Sequence, residues 1–383
     1  MLAHQKPETG NQKPNMQENP QINKQNINRF LCESCGANLM FDPKFGELAC
    51  PYCGHRQAVE QSGGAVDEND YYAALRPDAV SLQPMARDAM QVSCETCGAT
   101  VTFVPPETAR NCDFCGGKIV AQPKSADPLV APEGVLPFSI TNGAASTSLK
   151  GWINSRWFAP SNLKVLAQPD KIGSVYIPYW TFDADSTSEY TGERGEYYYT
   201  TEYYEENGEQ KSRQIRHTNW NYAAGAVARH FDDLYIPATT SLLPEYIKHL
   251  NWEFDALVPY EPAYLAGHKA QTYQISLVQA FELFKQDATG IIYNDVRQAI
   301  GGDEQRVAAV NTNYSDITFK HLLLPVYAGA YRYNNKVFQI VVNGRTGEVQ
   351  GMRPYSWLKI GCLVVVILFV LLIILAIFGA SKN

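Results

Sequence analysis

Hydrophobic and polar positions change period along this chain, and the changes divide it into elements. Ala145, Leu149, Trp152 and Ile153 recur at helical spacing until Pro160 stops the run. A longer helical stretch carries Leu277, Phe281, Phe284, Ala288, Ile291, Val296 and Ile300. Ser276 with Gln279 makes a capping box ahead of it, and Gly301-Gly302 ends it. Val135-Leu136-Pro137-Phe138 and residues 175–180 (VYIPYW) are apolar runs of strand length, and the proline at 178 predicts an edge strand. Residues 197–204 and 210–220 flank Asn207-Gly208, a dipeptide that favours the tight turn of a β-hairpin. Residues 322–333 and 337–342, joined at Asn334-Asn335, predict a second hairpin, and the turn at 343–347 (NGRTG) leads to a third strand. Residues 135–355 therefore read as a mixed α+β body.

The two ends depart from this pattern. Residues 360–380 are 21 positions without a charge, rich in Leu, Ile and Val. At a helical rise this covers about 30 Å, the thickness of a bilayer's hydrocarbon layer, so a transmembrane helix is expected over 358–380. Arg345, Arg353 and Lys359 precede the span and Lys382 follows it. The positive-inside tendency then predicts one pass through the inner membrane with the bulk of the chain in the cytoplasm. Tyr355 and Trp357 sit where an interfacial aromatic belt is expected. Residues 1–28 are crowded with Gln, Asn, Pro and Lys and read as a disordered tail without a secretory signal.

Eight of the nine cysteines fall in four C-x-x-C pairs, and these expose an internal repeat. Cys32, Cys35, Gly36, Ala37, Phe41, Cys50, Cys53 and Gly54 return 62 positions later as Cys94, Cys97, Gly98, Ala99, Phe103, Cys112, Cys115 and Gly116. In each copy 14 residues separate the two pairs, which suits a β-hairpin bringing two knuckles to one ion. Four thiolates close a tetrahedral zinc site with no open position, so the sequence predicts two structural zinc ions and no catalytic metal. The ribbons occupy 29–57 and 91–121, with linkers at 58–90 and 122–134 and a short helix near residues 71–75. Zinc supplies roughly 10 to 16 kcal/mol to a finger peptide, more than so short a segment obtains from its own core.

Charge and motifs narrow the function. Residues 29–121 hold 7 basic and 12 acidic residues, and the whole chain has a net charge of −7, the wrong sign for phosphate contacts. A nucleic-acid-binding regulator held at the membrane is thus the second reading, behind a protein-binding one. No G-x-x-x-x-G-K-[ST] loop, H-E-x-x-H pair or G-x-S-x-G elbow occurs, and no catalytic residue is assigned. Asp183 and Asp185 could share a metal, but alternation along a strand places both on a solvated face equally well, and Asp232-Asp233 read as ordinary solvated charge. The tyrosines of 197–204 fit core packing or a protein-binding strand face.

Taken together, the paired C-x-x-C-G ribbons, VYIPYWTFDAD at 175–185, YTGERG at 190–195, Phe231-Asp232-Asp233, Tyr264-Leu265-Ala266-Gly267, IGGD at 300–303, TFKHLLLP at 318–325 and VNGRTGEVQG at 342–351 resemble a bacterial family of tail-anchored zinc-ribbon membrane proteins. The ribbons are similar to those of transcription factor IIB. Some members carry a primosomal-helicase label, which the missing phosphate loop contradicts here. Some similar proteins are encoded beside phage-shock-protein-A-like and flotillin-like (SPFH) proteins. The resemblance implies a non-enzymatic adaptor that docks such a protein at the membrane, possessing two ribbons where some similar proteins have one.

Overall fold

The computed structural model describes residues 30–61, 63–76, 82–83, 90–94, 100–103, 109–112, 114, 118–120, 129–160, 163, 172–334 and 336–380. The expected tail at 1–28, together with Cys97, Cys115 and residues 122–128 of the second linker, lies outside them.

The architecture is a mixed, sheet-rich fold with few helices. The first cysteine module forms a three-stranded antiparallel sheet, β1 (Met40–Asp42), β2 (Glu47–Ala49) and β3 (Arg56–Ala58). The segment read as a linker supplies more than loop: β4 (Asn69–Asp70), α1 (Tyr71–Ala74) and β5 (Leu82–Gln83). Asp70 caps α1, its carboxylate accepting the Ala73 N–H. The second module contributes two hairpins, β6 (Met90–Ser93) with β7 (Thr100–Phe103) and β8 (Ala109–Asn111) with β9 (Lys118–Val120). There follow β10 (Leu129–Val130), paired with β5, then β11 (Gly134–Val135) and α2 (Asn142–Asn154).

The body is organised by two long strands and a third beside them, β12 (Gly173–Glu206), β13 (Glu209–Pro237) and β16 (Glu304–Tyr333). Shorter elements complete it: α3 (Pro244–Ile247), β14 (Val258–Pro259), β15 (Lys269–Ala270), α4 (Leu277–Ile300), β17 (Lys336–Asn343) and β18 (Val349–Gly351). The main sheet runs β13-β12-β16-β11-β14. Along its second edge β16 takes β4, then β11 in parallel, then β17.

Strand β12 is therefore central, not the edge strand that Pro178 predicted. The proline is tolerated because of where it falls. On the side away from β16, β12 is covered by β15 at Val175 and Tyr176 and by β13 from Tyr179 onward. The Tyr176 and Pro178 carbonyls face this side, accepting from Gln271 and Ala238. Pro178 thus lies in the gap between two partners, where its absent N–H leaves no ladder bond unmade.

The hairpin turn is as the sequence predicts: Asn207 and Gly208 have φ of 58° and 81°, the left-handed pair that a two-residue turn needs. Its strands run far beyond 197–204 and 210–220. Ala184, Ser186, Ser188 and Gly192 are buried at every second or fourth position while Asp185, Thr187 and Glu189 are exposed. These small buried residues form a floor for α4, whose inner stripe is Leu277, Ala280, Phe281, Phe284, Ala288, Ile292, Val296 and Ile300. Ile292, one place beyond the expected Ile291, turns inward. The capping box forms, with Ser276 Oγ accepting the Gln279 N–H and the Gln279 side chain accepting the Ser276 N–H. Register also pairs glycines with aromatics: Tyr190 faces Gly225, and the Trp220 ring covers Gly195.

Beyond Gly195, β16 has ended, and residues 196–219 project as a two-stranded arm of roughly 35 Å. At the other end, α5 (Trp357–Ala380) is the one helix among the described residues long and apolar enough to cross a membrane, and its span 357–374 has no buried residue. It is tied to the body at its start: Lys359 Nζ donates to the carbonyls of Trp157 (3.1 Å) and Ala159 (2.8 Å).

Candidate metal centre

The first module builds its site from two copies of one backbone turn. Cys32 exchanges hydrogen bonds with Gly36 and Ala37, and Cys50 does the same with Gly54 and His55. Gly36 and Gly54 hold φ of 73° and 74°, a conformation that favours glycine at the end of each knuckle. The strands between them carry the knuckles to one point. Cys32 Sγ lies 3.5 Å from Cys53 Sγ, Cys35 Sγ lies 3.5 Å from Cys50 Sγ, and all four sulfurs fall within 4.8 Å of one another. A disulfide needs about 2.05 Å, whereas zinc–sulfur bonds of about 2.3 Å place tetrahedral sulfurs about 3.8 Å apart. The cluster can therefore hold a metal ion, and a thiolate set favours soft and borderline ions. The thiols also divide protons unequally. The Cys53 backbone N–H draws Cys50 down to about 6. At Cys35 the Ala37 N–H favours the thiolate, yet the Cys50 and Cys53 sulfurs push the group up to about 12.

Two of the four cysteines, Cys32 and Cys50, are buried with Leu39, Phe41 and Leu48 in one apolar cluster that continues into the body through Tyr264, Tyr176 and Leu323. Phe41 forms the joint. Its N–H donates to the Ala266 carbonyl (2.9 Å), and its ring meets Tyr264 (5.2 Å) and His268 (6.3 Å) edge-on.

Of the second set, Cys94 and Cys112 are buried, and with Phe114 they share a cluster with Val175, Ile177, Tyr179, Leu322 and Leu324. Cys97 and Cys115 lie outside the described residues, so only half of this set is placed. Strand alternation puts Val175, Ile177 and Tyr179 on one face of β12 and Tyr176 on the other. The two cysteine modules thus belong to the cores on opposite faces of the sheet.

An ion cluster around one buried lysine lies apart from the cysteines, and the sequence reading missed it. Lys320, 8% exposed at its side chain, reaches Glu68 (2.9 Å), Asp233 (2.9 Å) and more distantly Asp183 (3.9 Å). Asp183 also accepts the Asp233 N–H, and Thr318 donates to Glu68. Burial pushes Asp183 up to about 6, while the Lys320 hydrogen bond draws Glu68 down. The expectation that Asp183 and Asp185 share a solvated face fails, because the ladder slips at 182–185. Asp183 is buried, whereas Asp185 is exposed and pairs with His230 (2.8 Å). Asp233 departs likewise from the solvated charge expected: it takes a left-handed φ of 48° and turns to Lys320. A lysine between Phe319 and His321 in an apolar strand was the available sign, since such an amine requires carboxylate partners. Among the described residues the cluster is a closed set of ion pairs.

With this geometry in view, the chain can be set beside known proteins. It is similar to the uncharacterized protein YdjG of Bacillus subtilis (strain 168). The identity is 25% over 338 residues, covering 85% of this chain and 90% of that one. No family model matches the chain, and no solved structure matches it. The likeness covers most of both chains and adds no activity.

Proposed function

We propose that this protein is a non-enzymatic, membrane-anchored zinc-ribbon adaptor of the bacterial family it resembles, docking a protein partner at the cytoplasmic face of the inner membrane. The observation that carries this reading is the four-cysteine cluster seated on the body through Phe41, in a chain whose one lipid-compatible helix among the described residues is tied to the same body by Lys359. Four sulfurs leave a metal no vacant position for a substrate, so the ion's contribution is to hold a surface in shape. Zinc is the ion proposed, in both modules, with Cys94, Cys97, Cys112 and Cys115 completing the second tetrahedron. Arg345, Arg353 and Lys359 ahead of α5 favour a cytoplasmic body. The partner proposed is a phage-shock-protein-A-like or SPFH protein, which the anchored chain would hold at the bilayer.

The decisive experiment follows a fluorescent phage-shock-protein-A-like partner in cells. It should move to the membrane when this chain is present and stay cytosolic when residues 357–380 are deleted. A partner that ignores the chain overturns the reading, as does a purified zinc-replete protein that turns over a substrate and loses that turnover on a folded body variant. Salt-dependent binding of nucleic acid to the full chain would instead favour the regulator.

A further inference from the structure

Among the described residues both edges of the arm are unpaired, and the β12 edge opens where β16 stops. β16 covers β12 only as far as Gly195, which faces Glu304, and from Glu196 to Glu206 the sheet neighbour of β12 among the described residues is β13 alone. The last contacts show which backbone groups look outward. Asp303 N–H donates to the Gly195 carbonyl (2.9 Å), and Tyr197 N–H donates to the Asp303 carboxylate (2.7 Å). Strand alternation turns the N–H and C=O of Tyr199, Thr201, Tyr203 and Glu205 the same way. Folded proteins close such edges with proline, lysine or a bulge. Residues 197–205 contain no proline or lysine, and the register slips of β12 all lie before the arm. The opposite edge, on β13, carries Lys211, Arg213 and Arg216.

We infer that this open edge of β12 is a pairing surface for a second copy of the same chain, the two arms joining antiparallel about a two-fold axis at Thr201. The strand is self-complementary in that register. Thr201 is one of the outward-facing residues, so it exchanges both backbone bonds with its counterpart. Tyr199 then faces the second copy's Tyr203, and Tyr198 faces the second copy's Tyr204, giving four cross-strand aromatic pairs over the dyad. Moving the axis to Tyr199 sets Tyr198 against Thr200 and Tyr197 against Thr201, and moving it to Tyr203 sets Tyr199 against the turn residue Asn207. Each keeps one aromatic match, the tyrosine on the axis, against the four of the Thr201 register.

The Thr201 register sets Glu196 against the second copy's Glu206, and within-chain cations offset this like pair. Glu196, Glu202 and Glu206 are neutralised within their own chain by Arg194 (3.1 Å), Arg213 (2.6 Å) and Lys211 (2.7 Å). Glu205 has no such pair among the described residues. It comes opposite the second copy's Tyr197, over whose ring the Arg216 guanidinium lies at 4.2 Å. An isolated two-stranded hairpin is marginal in water, and joining the arms makes a four-stranded sheet. Nothing in this pairing depends on the adaptor reading.

The test uses the full chain in detergent. Analytical ultracentrifugation should show a dimer, and Thr201→Pro should weaken it at least tenfold with an unchanged circular-dichroism spectrum, because the lost N–H points away from β13. Should that variant fold poorly, Thr201→Lys serves instead, placing two ammonium groups against each other on the axis. A photo-crosslinking residue at position 199, in a mixture of isotopically light and heavy chains, should yield mixed-isotope peptides joined to residues 201–205. A protein that stays monomeric at micromolar concentration, a dimer indifferent to both variants, or cross-links confined to single chains would overturn the inference.

Discussion

His268 stacks on Phe138 with ring centroids 4.4 Å apart, and among the described residues neither of its ring nitrogens has a partner in good hydrogen-bond geometry. Burial holds its pKa down to about 4, the Phe41 backbone opposing only in part. The folded state then binds fewer protons than the unfolded chain between pH 6.5 and 4, so stability drains away as pH falls through that window. His268→Phe keeps the stack and removes the orphaned nitrogens. The variant should be more stable by about 1–2 kcal/mol at neutral pH. It should also lack up to about 3 kcal/mol of the acid-side loss. Thermal melts of both proteins over a pH series give the difference, and parallel curves would refute it.

Lys320 invites the opposite change. Lys320→Met leaves Asp183 and Asp233 facing each other without their cation, and a loss of about 3 kcal/mol is expected. The figure sits at the low end because Glu68 and Asp233 stay partly in water. Adding Asp183→Asn and Asp233→Asn should restore much of the loss. Denaturant midpoints that do not move for the single variant would show the pairs to be idle.

For the cysteines, elemental analysis should find two zinc ions per wild-type chain and one in Cys35→Ser. Because Phe41 docks on Tyr264 and His268, the same variant should expose the joint to limited proteolysis near residue 41 while leaving the core of β12 protected. Two ions retained in Cys35→Ser would contradict the assignment.

At the start of α4, Ser276→Ala removes half of the capping box and should cost about 1 kcal/mol, whereas Ser276→Asp should be nearly neutral. Melting temperatures measured side by side decide it.

Features encoded by near neighbours were legible in the sequence. The first cysteine cluster follows from the spacing of two pairs, α4 from its period and caps, and the hairpin turn from Asn207-Gly208. The strand lengths were not, because Ser186, Ser188 and Gly192 are buried under α4 without being apolar, and a search for hydrophobic alternation passes over them. Pro178 misled for a related reason: its rule concerns a missing donor, and only the tertiary arrangement shows that no acceptor waits opposite. The Lys320 cluster draws on positions 68, 183, 233 and 320, which nothing local connects.

Strand β12 runs unbroken from Tyr176 in the core to Glu206 at the tip of the arm. A load applied at Asn207 therefore reaches Trp180 through covalent bonds, and from Gly195 inward the rungs to β16 take it side by side in shear and are not peeled open singly. The tip of the arm is thus mechanically coupled to the floor beneath α4.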